Sequence, residues 1–159
     1  MPLEIKKVGV IGAGQMGNGI AHVCALAGYD VFIHDADPDR IRSGLATING
    51  NMAKQVSKGT VTEDARQVAL ARIAMAERTE DLADCDLVIE SATEKEEVKR
   101  KIFTGLCQVL RPDALLASNT SSISITRLAA ATDRPERFIG IHFMNPVPLM
   151  KPVELVRGI

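Results

Sequence analysis

Glu154 lies twelve residues after His142, and the chain between them turns back through Pro146, Pro148 and Pro152. The imidazole follows the apolar run Phe138-Ile-Gly-Ile141, and the carboxylate lies within Pro152-Val-Glu-Leu-Val156. A carboxylate with apolar strand neighbours must be paired or hold its proton. Proline forbids a helix between the two, so the side chains can meet. A neutral imidazole oriented by a carboxylate is a general base suited to pH 7. Taken alone, a histidine at a strand end is as readily a satisfied core group. His22, inside a helical pattern, and His34, inside a strand pattern, have only such structural readings.

A second constellation is Gly12-x-Gly14-x-x-Gly17, with Gln15 and Met16 between the last two glycines and an apolar strand, Val8-Gly-Val-Ile11, directly before it. Each glycine answers a separate need: a tight turn, close approach of backbone to a phosphate, and close packing of the following helix on a sheet. The helix N-terminus then faces an anion. A second apolar strand runs from Asp30 to His34 and ends at Asp35, 18 residues beyond Gly17, near the spacing of a ribose-binding carboxylate. That order implies a dinucleotide cofactor. A carboxylate at the ribose repels a 2′-phosphate, so NAD is favoured over NADP, although Arg40 is close enough in sequence to keep NADP open.

The elements that must position these residues alternate. Strands are expected near 5–11, 30–34, 73–77, 86–90, 114–118 and 137–143, with helices at 15–27, 95–110 and 124–131 and a short last strand at 153–156. This is the progression of an α/β, doubly wound, mostly parallel Rossmann-type sheet in one domain spanning 1–159. Residues 38–74 are too long for a simple crossover; Lys58-Gly59 stops one helix and Thr62 caps another, so a helical hairpin insertion is predicted after the second strand. Ligands of such sheets bind outside the carboxyl ends of the strands. Those ends carry the glycine loop, Asp35, Glu90-Ser91, Ser118-Asn119-Thr120-Ser121-Ser122 and His142. Five polar strand ends on one rim form a candidate site, with Ser121 and Asn145 as donors to a reacting oxygen. Lys54 and Lys58, four apart on one helix face, could hold an anionic group or form a solvated face.

At 159 residues, 46% apolar, 25% charged and net charge −1, the composition is that of a globular domain and gives no global support for nucleic-acid or membrane-surface binding. No apolar run reaches about 18 residues, and the first strand begins too near Met1 for a targeting segment, so a cytoplasmic protein is expected. The three cysteines Cys24, Cys85 and Cys107 lack metal-ligand spacing and read as reduced thiols.

The stretches GVIGAGQMGNGIA, LVIESATEKEEVK, ASNTSSISIT and GIHFMNPVPLMKPVELV resemble the NAD-binding domain of the L-3-hydroxyacyl-CoA dehydrogenases, in particular their bacterial 3-hydroxybutyryl-CoA branch. The resemblance implies hydride transfer between the 3-hydroxyl carbon of an acyl-CoA and NAD. It makes His142 the base, Glu154 its partner and Ser121 a contact to the reacting oxygen. Glu94, Lys99, Asn119 and Asn145, with the glycine loop, become cofactor contacts. Lys58 falls near the CoA phosphates, and Asn51 stands where the family can show serine. The resemblance also implies a helical, dimer-forming second domain that this chain lacks. A non-catalytic NAD-binding or structural module, and a dehydrogenase of hydroxy acids without CoA, remain as alternatives.

Overall fold

The computed structural model describes residues 4–120 and 123–143, and 153–157 as a strand position only. Its elements are β1 (Lys7–Ile11), α1 (Gln15–Leu26), β2 (Asp30–His34), α2 (Pro38–Ser57), α3 (Glu63–Ala71), β3 (Ile73–Ala76), β4 (Leu87–Glu90), α4 (Glu96–Val109), β5 (Leu115–Ser118), α5 (Ile125–Ala130), β6 (Phe138–Phe143) and β7 (Val153–Arg157). Two 3₁₀ turns, at Thr79–Leu82 and Pro135–Arg137, lead into β4 and β6 and were not anticipated from the sequence. The sheet order is β3-β2-β1-β4-β5-β6-β7. Its first six strands run parallel, and β7 returns antiparallel to β6. This is the doubly wound arrangement that the alternation of elements predicts.

Strands of such a sheet are buried on both faces and so carry nearly unbroken apolar runs. Val8 and Val10 enter a core with Ile20, Ala21, Ile41, Ile48 and Met52, while Ile11 and Val88 enter a second core with Phe103, Leu106, Leu116 and Leu128. Phe103 of α4 meets Phe138 of β6 edge to face, 4.8 Å between centroids, a geometry that adds about 0.5–1.5 kcal/mol to simple burial. At the amino end of the sheet, Asp86 accepts the N–H groups of Lys6 and Lys7 at 2.9 Å each and pairs with Arg111 at 2.6 Å. Burial raises its carboxyl pKa, but Arg111 and the two backbone donors outweigh this and hold it below the usual range.

The hairpin insertion forms as its capping signals require. Asp37 caps α2 by accepting from the Asp39 N–H, with Pro38 in the first turn, and α2 runs 20 residues to Ser57, with Lys58 as its C-cap. Gly59 takes φ +77°, a left-handed conformation open to glycine, and Thr62 Oγ1 accepts the Ala65 N–H at 3.1 Å to start α3.

Candidate functional site

The glycine loop is shaped by the space its residues must leave. Gly12 has φ +101°, and a Cβ there would lie 2.8 Å from the Ala92 Cα. A Cβ on Gly17 would fall 1.5 Å from the Gly12 carbonyl oxygen, so the first turn of α1 packs directly on the loop. At Gly14 a Cβ would meet nothing within 4 Å, which leaves the loop open on its outer side. Gly14 is also the N-cap of α1, with no side-chain cap and no acid in the first turn, so the positive end of that helix faces outward. Gln15 is exposed there, whereas Met16 is half-buried and packs against the core. These features fit a dinucleotide pyrophosphate.

Asp35 is half-buried at the end of β2, accepting from the Ala13 N–H at 2.9 Å and the Asp37 N–H at 3.0 Å. Its carboxylate therefore closes the loop from one side. From the other, Gly44 of α2 lies so close that a Cβ would be 2.9 Å from the Ala13 carbonyl oxygen. Sequence reasoning missed Gly44; its signal was a glycine on the same helical stripe as Ile41, Ile48 and Met52. Between loop and helix lies a cleft of about 470 Å³ lined by Gly14, Gln15, Asn18, Arg40, Thr47 and Asn51 among others. Beyond Asn51 the same helix carries Lys54 and is capped by Lys58, both exposed and without an ion pair among the described residues.

Across the rim the strand ends differ from expectation. Glu90 and Ser118 are fully buried rather than turned to a cleft. Glu90 Oε1 accepts from Lys99 Nζ at 2.6 Å and from Ser118 Oγ at 2.7 Å, and its Oε2 accepts the Ala92 N–H at 2.7 Å. Lys99, expected to touch the cofactor, is itself 0% exposed and gives its ammonium to Glu90 beneath the rim. Ser91 Oγ donates to the Ile11 carbonyl, tying β4 to β1. Asn119 is also buried, and its Oδ1 accepts the Phe143 N–H at 3.1 Å. Thr120 Oγ1 donates to the exposed Glu94 at 2.9 Å and accepts the Ile123 N–H at 3.2 Å.

His142 is half-buried near the end of β6, directly opposite Glu154 in the antiparallel register with β7. Ser121 and Asn145 lie outside the described residues. His34 Nδ1 bonds the Ala76 carbonyl, and His22, fully buried, bonds Gln55 at 2.7 Å; burial lowers its pKa despite that bond. The thiols are free, and burial raises Cys24 to about 11 and Cys85 to about 12, so neither is a poised nucleophile. Among the described residues no cluster could hold a metal, and no helix is long and apolar enough to cross a membrane.

The profile of the 3-hydroxyacyl-CoA dehydrogenase NAD-binding domain matches residues 7–159. The chain is 74% identical over its whole length to a 3-hydroxybutyryl-CoA dehydrogenase of Bradyrhizobium diazoefficiens, of which it covers 54%. It is 50% identical, over 96% of its length, to a probable 3-hydroxybutyryl-CoA dehydrogenase of Deinococcus radiodurans, again covering 54%. Among solved structures, an (S)-3-hydroxybutyryl-CoA dehydrogenase from Ralstonia eutropha superposes with a TM-score of 0.95 at 46% identity, over 98% of this chain and 55% of that one. The chain thus spans about half the length of the relatives it matches. An open glycine loop, an uncapped helix end and an acid at the end of β2 suit an NAD-binding domain, and the chain belongs to the NAD-binding domain family of the 3-hydroxyacyl-CoA dehydrogenases.

Proposed function

We propose that the full-length protein interconverts a 3-hydroxyacyl-CoA, 3-hydroxybutyryl-CoA foremost, with its 3-ketoacyl-CoA, using His142 as general base and Glu154 as the carboxylate that orients it. The observation that carries the proposal is the pairing of His142 opposite Glu154 at the carboxyl end of β6, on the rim shared with the glycine loop. The substrate is supported by the relatives, a 3-hydroxybutyryl-CoA dehydrogenase and a probable one. When bound, NAD supplies the acceptor for the hydride that leaves C3 with its electron pair. The chain's residues do the rest: the hydroxyl proton passes to the His142 ring as the C–O bond becomes a carbonyl. Ser121 and Asn145 are proposed to donate to that oxygen and to order the nicotinamide side. Glu94 is a proposed cofactor contact, and Lys99 would act on the cofactor through the Glu90 network. Lys54 and Lys58 are proposed to receive the anionic end of CoA, beyond the cleft that starts at Gly14 and ends at Asn51. The proposal includes a second, helical domain closing the cleft and joining two copies, in a cytoplasmic enzyme.

The test is NADH oxidation by the full-length protein with acetoacetyl-CoA against free acetoacetate. His142→Ala should lower kcat roughly 10²–10⁴-fold and leave NADH binding nearly intact. Wild-type turnover in that variant removes the base; equal use of free acetoacetate removes the CoA assignment; NADH binding with no turnover of either favours a non-catalytic module.

A further inference from the structure

We infer that Asn119 is a positioning residue for His142, an inference that rests on His142 being the base. The β5–β6 ladder ends at Ser118 opposite Gly140, yet β6 continues through Ile141 and His142 to Phe143. Where the ladder stops, a side chain takes over: Asn119 Oδ1 accepts the Phe143 N–H at 3.1 Å. That N–H belongs to the same planar peptide unit as the carbonyl of His142, so holding it restricts the backbone rotation that aims the imidazole. Asn119 is well placed to do this, being buried, with its own N–H donating to the Glu90 carbonyl at 2.7 Å.

The two neighbours of Asn119 make the same kind of attachment to other elements. Ser118 Oγ donates to the Glu90 carboxylate, and Thr120 Oγ1 donates to Glu94 in the β4–α4 loop. Three successive side chains thus hold three separate pieces of the rim, and the first is rooted in the buried Lys99–Glu90 pair. In this arrangement the amide oxygen of Asn119 holds the backbone that carries the base.

The experiment compares Asn119→Ala, Asn119→Asp and His142→Ala in the full-length protein, reading kcat, the KM for NADH and hydrogen exchange at the Phe143 amide. Asn119→Ala is expected to lower kcat roughly 10–100-fold while changing the KM for NADH by less than about twofold, since misplacement of a reacting group acts on the chemical step. The Phe143 amide should exchange faster. Asn119→Asp keeps an oxygen that accepts the same N–H and should restore both protection and most of kcat. Unchanged kcat in Asn119→Ala, a loss confined to the KM for NADH, or an aspartate variant as damaged as the alanine variant would overturn the inference. If His142→Ala is inactive and Asn119→Ala is not, only the positioning role falls; if His142→Ala is fully active, the base assignment beneath it falls.

Discussion

On the β1–β2 side of the rim the chain is shaped by atoms that are left out, and on the β4–β6 side by polar atoms that are put in. Gly12, Gly17 and Gly44 let three pieces of backbone come closer than a side chain would permit. Across the sheet, Glu90, Lys99, Ser118 and Asn119 fill the space between strand ends with paired donors and acceptors. The first region resists change by steric exclusion, which is short-ranged and indifferent to charge. The second depends on every partner being present, because a buried charge without one is costly. The two should therefore fail differently.

The largest expected effect is at Gly17. A methyl group 1.5 Å from a carbonyl oxygen cannot be accommodated without rebuilding the loop, so Gly17→Ala should destabilise by about 4 kcal/mol or more in chemical denaturation. Gly14→Ala sharpens the point: nothing lies within 4 Å of the added methyl, so the midpoint should stay near wild type while calorimetric NADH affinity drops. Equal damage to stability from both would erase the distinction between the packed and open faces of the loop. Next comes Lys99→Met, which leaves Glu90 buried without its cation and should cost about 3–5 kcal/mol of folding stability. Asp35→Ala should weaken NADH binding by about 1–3 kcal/mol, the worth of hydrogen bonds to a charged group, and narrow the preference for NADH over NADPH. Smallest is a pH effect at His22. Burial sets its folded pKa below the ordinary 6.5, so the unfolded chain takes up protons first and stability falls as pH drops through 6.5. Thermal melts between pH 8 and 5.5 should show this slope flattened in His22→Gln.

The glycine loop, the alternation of elements and the hairpin caps were legible because each is set by neighbours in sequence. Gly59 and Thr62 act within one or two turns of themselves, and the Gly12-to-Gly17 spacing is a property of a single turn. The opposite rim was read only in part. Glu90 and Ser118 were taken as open polar ends because their compensating cation comes from α4, and a lysine in a charged helix reads as surface. A signal was present nonetheless: Lys99 falls on the buried stripe with Phe103 and Leu106, one and two turns on. Arg134 left no such trace. It comes from a loop that looks solvated, yet it is 2% exposed and donates to the carbonyls of Arg111, Ala114 and Cys107. Partners that meet only through tertiary packing are invisible to spacing.

The strand order also has a consequence for synthesis of the chain. β1 lies between β2 and β4, and its clip to Asp86 spans 80 residues. β2 emerges from the ribosome almost at once, but at about 5–20 residues per second the other edge of β1 waits roughly 4–16 s for β4. During that interval an apolar strand, Val8 to Ile11, presents open hydrogen-bonding groups on one side. The part already made, from β1 through β3, can pack α1, α2 and α3 over one face of a three-stranded sheet in which β3 keeps its edge for good and β1 has an edge still to be covered. Arrival of β4 covers that edge, and Asp86 fastens it by taking the two N–H groups of Lys6 and Lys7.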